Sequence, residues 1–371
     1  MSVRFASTTR FLVESGRGPF DNAVKRRGSC RLVASTLGVC LVALSGAAHA
    51  AEKRLDRTFS VAPGGRLTID SDGTDLRVEG TGGNQVIVRI LLSGSERTLE
   101  RMTLTTDQSG NDVSVVAKHG NGKWTDWFGG WNLDGRIEVQ VPRDYNIDIR
   151  TSGGDIKVGQ LKGNTRGRTS GGDIQVADVQ GPVEMHTSGG DVRVEQIEGT
   201  TRLGTSGGDI EIARLNGDLD AKTSGGYIHL DDVVGKVMAR TSSGNVVARG
   251  VRGDCDLKTS GGDIRATIDG KIAAHTSGGD VTAELVGENR GISVSSSGGD
   301  LTVRVPKDTK GELNAATSGG SVRTELPVTT TEMGERKLTG TLNGGGNPIH
   351  ARTSGGSIKV LAAGSSAVVE K

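Results

Sequence analysis

Apolar and polar positions alternate along most of this chain, and the alternation breaks at regular intervals. In one representative stretch the apolar or small residues are Ile156, Val158, Leu161, Thr165, Gly167 and Thr169. Because alternate side chains of a β-strand point to the same side, these positions form one inward face. The step of three residues from Val158 to Leu161 interrupts the period of two and predicts a corner there.

This pattern belongs to a repeat. A Thr-Ser-Gly-Gly-Asp motif or a close variant begins at residues 151, 169, 187, 205, 223, 241 and 259, each 18 residues after the last, and continues at Thr276, Ser296, Thr317 and Thr353. A fixed period of this kind is typical of stacked coils that contact only their neighbours. The sequence therefore predicts an all-β fold, a single-stranded parallel β-helix or solenoid with coils of about 18 residues and Gly-Gly-Asp corners.

The repeated motif is interpreted as turn chemistry combined with an inward ladder of threonines. We expect its Gly-Gly pair to adopt positive φ angles, so that Gly172 and Gly208 tolerate no β-branched residue. We expect its Asp to fold onto nearby backbone N–H groups as an Asx turn. A second set of glycines, from Gly163 to Gly253 at the same period, predicts a further corner. The motif residues assigned to structural turns are Gly153, Gly154, Asp155, Gly171, Gly172, Asp173, Gly189, Gly190, Asp191, Gly207, Gly208 and Asp209.

Composition agrees with a narrow tube rather than a globular core. The chain has 59 Gly and only 3% aromatic residues, so its interior must be filled by Ile, Val, Ala and Thr. One short stretch, Ser95 to Met102, departs from the strand pattern and predicts one or two helical turns with Ser95 as the N-cap.

The N-terminal region has the pattern of an export signal. A basic head at Lys25 to Arg27 precedes an apolar run from about Leu32 to Leu44, which is too short for a membrane span, and Ala48 to Ala50 form an A-x-A site. We therefore expect cleavage after Ala50, export to the periplasm or cell surface, and no transmembrane span in the mature chain. Cleavage changes the formal net charge from +1 to −4, which disfavours a nucleic-acid partner. It also leaves Cys255 as a lone cysteine at an inward position.

The repeat pattern divides the chain into four regions. Residues 1–50 form an N-terminal extension and the signal, and residues 51–150 are expected to form irregular coils with a Trp-rich excursion at 118–133. Within that second region the stretches 65–80 and 102–115 are interpreted as weak copies of the coil. Residues 151–305 form the regular array, and residues 306–371 form irregular C-terminal coils and a cap.

Several stretches resemble a known family. The lead-in IEVQVPRDYNIDIRTSGGDIKV, the tandem TSGGDI units and the closing GGGNPIHARTSGGSIKV are similar to the bacterial putative-adhesin family of unknown function. The resemblance covers roughly residues 60–362. It implies a parallel β-solenoid that is exported or membrane-tethered, and it attaches no catalytic residues.

Two sets of outward residues are candidates for ligand binding. Cations or other non-acidic residues precede the motif threonines, and Arg168, Lys222, Arg240 and Lys258 in this column could bind anionic glycans or offset the column of motif aspartates. The tryptophans cluster as Trp124, Trp127 and Trp131 with Phe128 between them. This cluster is either a hydrophobic cap or a contact patch for sugar rings, a membrane interface or a protein.

Other chemistries are less well supported by the residues. The stacked aspartates could bind Ca²⁺, but the calcium-binding roll repeats its motif every nine residues, so we predict no metal site. The sequence has no Ser-His-Asp, Cys-His, H-E-x-x-H or phosphate-loop pattern, so we predict no catalytic residues and no cofactor.

The sequence therefore favours an exported, non-enzymatic, adhesin-like binding or structural module of the bacterial cell envelope. The sequence does not identify its partner; the candidates are an envelope glycan and another envelope protein. Two alternatives stay open: a polymerising envelope scaffold and a β-helix enzyme acting on polysaccharides.

Overall fold

The computed structural model describes residues 51–120 and 134–364. The described strands are β1 (Ala51–Ser60), β2 (Arg66–Ser71), β3 (Asp75–Thr81), β4 (Gln85–Gly94), β5 (Met102–Ser109), β6 (Asp112–His119), β7 (Asp134–Pro142), β8 (Asn146–Thr151), β9 (Ile156–Lys162), β10 (Thr165–Arg168), β11 (Ile174–Gln180), β12 (Val183–His186), β13 (Val192–Val194), β14 (Ile197–Glu198), β15 (Thr201–Gly204), β16 (Ile210–Ile212), β17 (Leu215–Asn216), β18 (Leu219–Lys222), β19 (Ile228–Asp231), β20 (Val233–Val234), β21 (Val237–Arg240), β22 (Val246–Arg252), β23 (Cys255–Lys258), β24 (Ile264–Asp269), β25 (Ile272–His275), β26 (Val281–Leu285), β27 (Ile292–Ser295), β28 (Leu301–Val305), β29 (Gly311–Thr317), β30 (Val322–Thr324), β31 (Val328–Met333), β32 (Lys337–Leu342), β33 (Pro348–Thr353) and β34 (Ile358–Ala362).

These strands form two long sheets. Sheet 1 contains 18 strands and sheet 2 contains 16, and each coil contributes to both. A coil runs along a strand of sheet 2, such as β8, turns at a threonine corner (the Thr-Ser-Gly-Gly-Asp motif) and returns along a strand of sheet 1, such as β9. A glycine corner, such as Gly163, then leads to the next coil. The prediction of an all-β solenoid is confirmed.

Parallel pairing in the array follows the 18-residue repeat. Ile156 pairs with Ile174, which in turn pairs with Val192. The side chains that alternation predicts to point inward are buried, including Val158 and Leu161, and they belong to one hydrophobic core cluster between the sheets.

The corner expected between Val158 and Leu161 is a bend inside a strand. Strand β9 continues from Ile156 to Lys162, and Gln160 takes a left-handed conformation with φ 58°. Asp178 does the same in the next coil, with φ 52°. The step of three in the sequence therefore marks a bend, and each coil of this type has two corners.

A single short helix interrupts the strands in the described residues. Helix α1 (Glu96–Glu100) has Ser95 as its N-cap, and the Ser95 side chain accepts a hydrogen bond from the backbone N–H of Thr98. This confirms the helical turn predicted for that stretch.

The coil nearest the N-terminus does not lie at the end of the stack. Strands β2 and β3 lie between β8 and β9 on one side and β6 and β7 on the other, all with parallel pairing. Antiparallel strands then close this end, because β4 pairs with β7, β1 with β4, and β5 with β6. The prediction that residues 102–115 are another copy of the coil is wrong, since they form the antiparallel β5–β6 hairpin.

The C-terminal end repeats this exchange of order. The last coil, β33 and β34, lies between β27 and β28 on one side and β29 and β30 on the other. The antiparallel strands β32 and β31 complete sheet 2 beyond β29. The described residues contain no helix that is long and apolar enough to cross a membrane.

Candidate functional site

The threonine of each corner ties two coils together. Thr205 Oγ1 donates to the carbonyl oxygen of Gly190 in the preceding coil at 2.8 Å and accepts from the N–H of Gly208 in its own corner at 3.2 Å. Thr205 is buried, as are the equivalent residues from Thr151 to Thr353. The inward threonines therefore satisfy backbone groups that a corner would otherwise leave unpaired.

The second glycine of each pair is required for close approach between coils. The expected positive φ is wrong, because neither Gly172 nor Gly208 adopts one; the left-handed glycines are those of the other corner, from Gly181 at φ 131° to Gly253 at φ 145°. A Cβ atom on Gly208 would instead overlap the carbonyl group of Gly190 in the coil beneath. The first glycine is less constrained, and Ser243 occupies that position in one coil.

The motif aspartate also acts between coils. The prediction of an Asx turn within the corner is wrong about the donor. Asp155 Oδ1 accepts a hydrogen bond at 2.9 Å from the backbone N–H of Asp173, the equivalent residue of the next coil. The same contact recurs at 2.7–3.0 Å along the stack, and Asn245 supplies the oxygen in one coil. In the corners that carry an aspartate, one carboxylate oxygen is therefore engaged by backbone. Within residues 51–120 and 134–364, no group of three His, Cys, Asp or Glu side chains is placed to hold a metal ion.

The candidate basic column has acidic partners on its own face of sheet 2. Lys222 contacts Asp220 at 2.9 Å, and Arg168 contacts Glu184 at 3.5 Å. Arg240 and Lys258 both contact Asp256, at 2.9 and 3.2 Å. The aspartates of the threonine corners pair elsewhere, for example with Arg193 on sheet 1.

Two pKa shifts follow from this environment. Burial alone would raise the pKa of Asp256, but the hydrogen bonds from Arg240 and Lys258 outweigh it and hold the pKa below its ordinary value. The neighbouring Cys255 thiol is buried, and burial, with a smaller contribution from Asp256, raises its pKa to about 12. A thiol of this kind is protonated at neutral pH and unreactive.

The aromatic candidates Trp124, Trp127, Phe128 and Trp131 lie outside the described residues. Their role stays a prediction.

A concave surface that the sequence analysis did not identify lies along the bends of sheet 1. We call it the bend groove; it has a volume of about 440 Å³ and is lined by Arg143, Asp144, Gln160, Leu161, Lys162, Asp178, Val179, Gln180, Gln196 and Glu198. Its walls are two outward columns, 160-178-196 and 162-180-198, and the inward Leu161 and Val179 form its floor. Aligning the repeats would have placed the three glutamines on adjacent coils, but would not have predicted the left-handed conformation of Gln160 and Asp178.

Within residues 51–120 and 134–364, two histidines lie close to a possible catalytic partner. His275 Nδ1 lies 2.7 Å from Ser295 Oγ, and His229 Nε2 lies 2.9 Å from Asp231 Oδ2, on the outer faces of different sheets. A Ser-His pair needs a third group that orients the histidine. Among the described contacts, the Ser295-His275 pair has no carboxylate partner.

The family of the chain follows from its repeats. The model of the Toastrack DUF4097 family matches residues 65–266 and 233–361, most of the chain. The chain belongs to the Toastrack DUF4097 family. This confirms, at the level of family, the resemblance to putative adhesins, and no curated protein matches the chain.

Comparison with solved structures finds bacterial proteins of low sequence identity. A putative cell adhesion protein from Clostridium sporogenes is 13% identical over 84% of this Toastrack chain and 100% of its own, with a TM-score of 0.17. A putative adhesin from Parabacteroides merdae is 10% identical over 83% and 96%, with a TM-score of 0.30. A putative lipid binding protein from Parabacteroides distasonis is 13% identical over 84% and 96%, with a TM-score of 0.29. Similarity at this level does not extend to function.

Proposed function

We propose that this Toastrack protein is an exported, non-enzymatic binding module of the bacterial cell envelope. The observation that carries the proposal is the way the coils use their polar groups. At the corners, threonine, glycine and aspartate are engaged by the neighbouring coil, so those residues hold the scaffold together. The outward columns of both sheets are left to present side chains on a long surface of regular spacing.

The ends of the stack favour a binding module over a polymerising scaffold. A scaffold that grows end to end joins one end of each molecule to the opposite end of the next, and this contact repeats without closing. A solenoid would need an open parallel coil at both ends to grow in this way. Here antiparallel strands flank both sheets at one end, with β1 and β5 outermost, and sheet 2 at the other end, with β31 outermost; sheet 1 ends there on the three-residue parallel strand β30. Measuring the mass of the purified protein in solution tests this point. Fibres that form as the protein concentration increases would favour the scaffold.

Export and binding can be tested in one set of experiments. Mass spectrometry of the protein recovered from cell fractions should find a chain beginning at Ala51 in the periplasmic or surface fraction. Recovery of the protein from the cytosol with residues 1–50 retained would contradict export. The recovered protein should then sediment with isolated envelopes, and failure to do so would contradict the binding role.

Variants distinguish the two candidate binding surfaces, the aromatic cluster and the basic column. Replacing Trp124, Trp127 and Trp131 together with Ser should abolish sedimentation with envelopes and leave the melting temperature unchanged if these residues form a contact patch. A lower melting temperature with self-association would assign them to a cap. The matched variant Arg240→Ser tests the basic column; because Arg240 is already paired with Asp256, we expect little change in envelope binding.

A further inference from the structure

Most side chains that line the bend groove have no protein partner within the described residues. Some outward charges elsewhere do pair with one another, as Lys222 does with Asp220. In the groove, Lys162 contacts Asp144 at 3.8 Å, but the side chains of Gln160, Asp178, Gln180, Gln196 and Glu198 make no hydrogen bond or ion pair within the described part of the chain. Polar groups that converge on a concavity without partners are available to a ligand.

The backbone at the groove supports a functional interpretation. Gln160 and Asp178 have positive φ in adjacent coils of one wall, and Asp232 has it in the same column beyond the groove. Left-handed backbone is costly for residues other than glycine, and such positions cluster at binding sites. Here the two left-handed residues lie in the wall formed by Gln160, Asp178 and Gln196.

The lining chemistry selects among ligand classes. The amide of each glutamine both donates and accepts, which suits hydroxyl groups that also do both. The two cations and three carboxylates leave the groove slightly acidic, which disfavours polyanions. The floor offers only Leu161 and Val179 as apolar contacts, too little for a lipid chain or a mostly apolar small molecule.

The repeat of the groove selects for a chain-like ligand. Successive coils place equivalent positions about 4.8 Å apart, so the four coils from Asp144 to Glu198 span about 14 Å along the stack. Extended peptides are typically recognised through the backbone of a sheet edge, whereas this surface offers side chains in the middle of a sheet. We propose that the bend groove binds a neutral, hydroxyl-rich oligosaccharide lying along the solenoid axis. This inference rests on the proposed binding function and names its ligand class.

The test measures binding of the exported form to linear neutral oligosaccharides of increasing length by calorimetry or NMR. Affinity should increase with length until the ligand spans about 14 Å and then level off. The double variant Gln180→Ala with Gln196→Ala should weaken binding about tenfold, because it removes two to four hydrogen bonds. The matched control is Arg214→Ala with Asn216→Ala, which alters the same two columns in the next coil beyond the groove and should bind as the wild type does.

Each result has a defined meaning. Equal affinity of the groove variant and the wild type overturns the groove as the site and leaves the binding function intact. Binding of sulfated oligosaccharides or polar peptides in preference to neutral ones overturns the ligand class. If no oligosaccharide binds but the protein still sediments with envelopes, the inference fails and the proposed function stands; if it does neither, both fail.

Discussion

The regular array and the two ends of the stack contain the same motif but differ in the order of their coils and in the direction of strand pairing. In the array, coils stack in chain order and each threonine corner repeats the same contacts, such as Thr205 with Gly190. At each end the outermost coils exchange places, and antiparallel strands replace parallel ones. The comparison shows that a local rule is enough to extend a solenoid, but that ending one requires distant segments of the chain to be brought together.

The physical reason is the unpaired edge. An outermost parallel coil presents a row of free N–H and C=O groups that would recruit other strands. Only the outermost corner contact at the C-terminal end is long: Ser321 N–H lies 3.3 Å from Ser357 Oγ, compared with 2.7 Å from Ser357 N–H to Asp300 Oδ1 in the coil before it. The antiparallel strands β32 and β31 extend sheet 2 beyond this outermost coil.

The largest expected effect is a loss of stability that is greater in the array than at the C-terminal end. Gly208→Val should destabilise the protein by about 3 kcal/mol, because the new side chain overlaps the backbone of Gly190 and coils on both sides prevent relaxation. Gly320→Val should cost less, since its coil has a parallel neighbour on one side only and can shift outward. Denaturant unfolding measures both, and alkylation of the buried Cys255 reports opening of the array.

The control for this prediction lies one residue away. A Cβ atom on Gly207 would be 3.5 Å from the Gly189 carbonyl oxygen, an ordinary contact, so Gly207→Ala should change the free energy of unfolding by less than about 0.5 kcal/mol. Equal losses in Gly207→Ala and Gly208→Val would mean that close approach between coils does not explain the pair.

The second prediction compares two buried threonines within the array. Thr205→Val removes a donor and an acceptor from a buried corner and should cost about 1–3 kcal/mol. Thr165 is equally buried, but its Oγ1 has no hydrogen-bond partner within the described residues, so Thr165→Val should be neutral or stabilising. Thermal melts of the two variants test this, and a loss in Thr165→Val as large as that in Thr205→Val would contradict it.

The sequence predicts the array better than it predicts the ends or the site. Period and alternation identify the inward residues Ile156, Val158 and Leu161, because each coil obeys the same local constraint. They do not explain why Gly208 is glycine or what Asp155 contacts, since both answers lie in the neighbouring coil. They also cannot order the end coils, because the insertions 82–145 and 306–347 break the period that assigns neighbours. Period and alternation also do not predict the backbone conformation of Gln160 and Asp178 in the bend groove.

The third prediction concerns the N-terminal end. Tyr145 is buried, and its hydroxyl donates a hydrogen bond to the carbonyl oxygen of Asn111 in the β5–β6 turn. Burial raises the pKa of Tyr145 from an ordinary 10 to about 12. Because the folded pKa is higher than the unfolded one, the stability from neutral Tyr145 is fully present below pH 10 and is lost as pH rises toward 12. Tyr145→Phe should cost about 1 kcal/mol at pH 7 and remove this pH dependence, whereas the wild type should melt progressively lower between pH 10 and 12. Melts across this range check it, and the same slope in Tyr145→Phe would exclude Tyr145 as its source.

The smallest expected effect isolates what the aspartate column contributes. Asp209 Oδ1 accepts from the backbone N–H of Tyr227 at 2.7 Å, and Asn245 makes the equivalent contact with Asp263 at 2.8 Å. If the column acts through this hydrogen bond rather than through charge, Asp209→Asn should change the free energy of unfolding by less than about 0.5 kcal/mol. Asp209→Ala should cost about 1 kcal/mol, because it leaves the Tyr227 N–H without its acceptor. Denaturant unfolding of both variants at low and high salt decides between the hydrogen bond and the charge. If Asp209→Asn loses as much free energy of unfolding as Asp209→Ala, and this loss is smaller at high salt, the array needs the charge of the carboxylate.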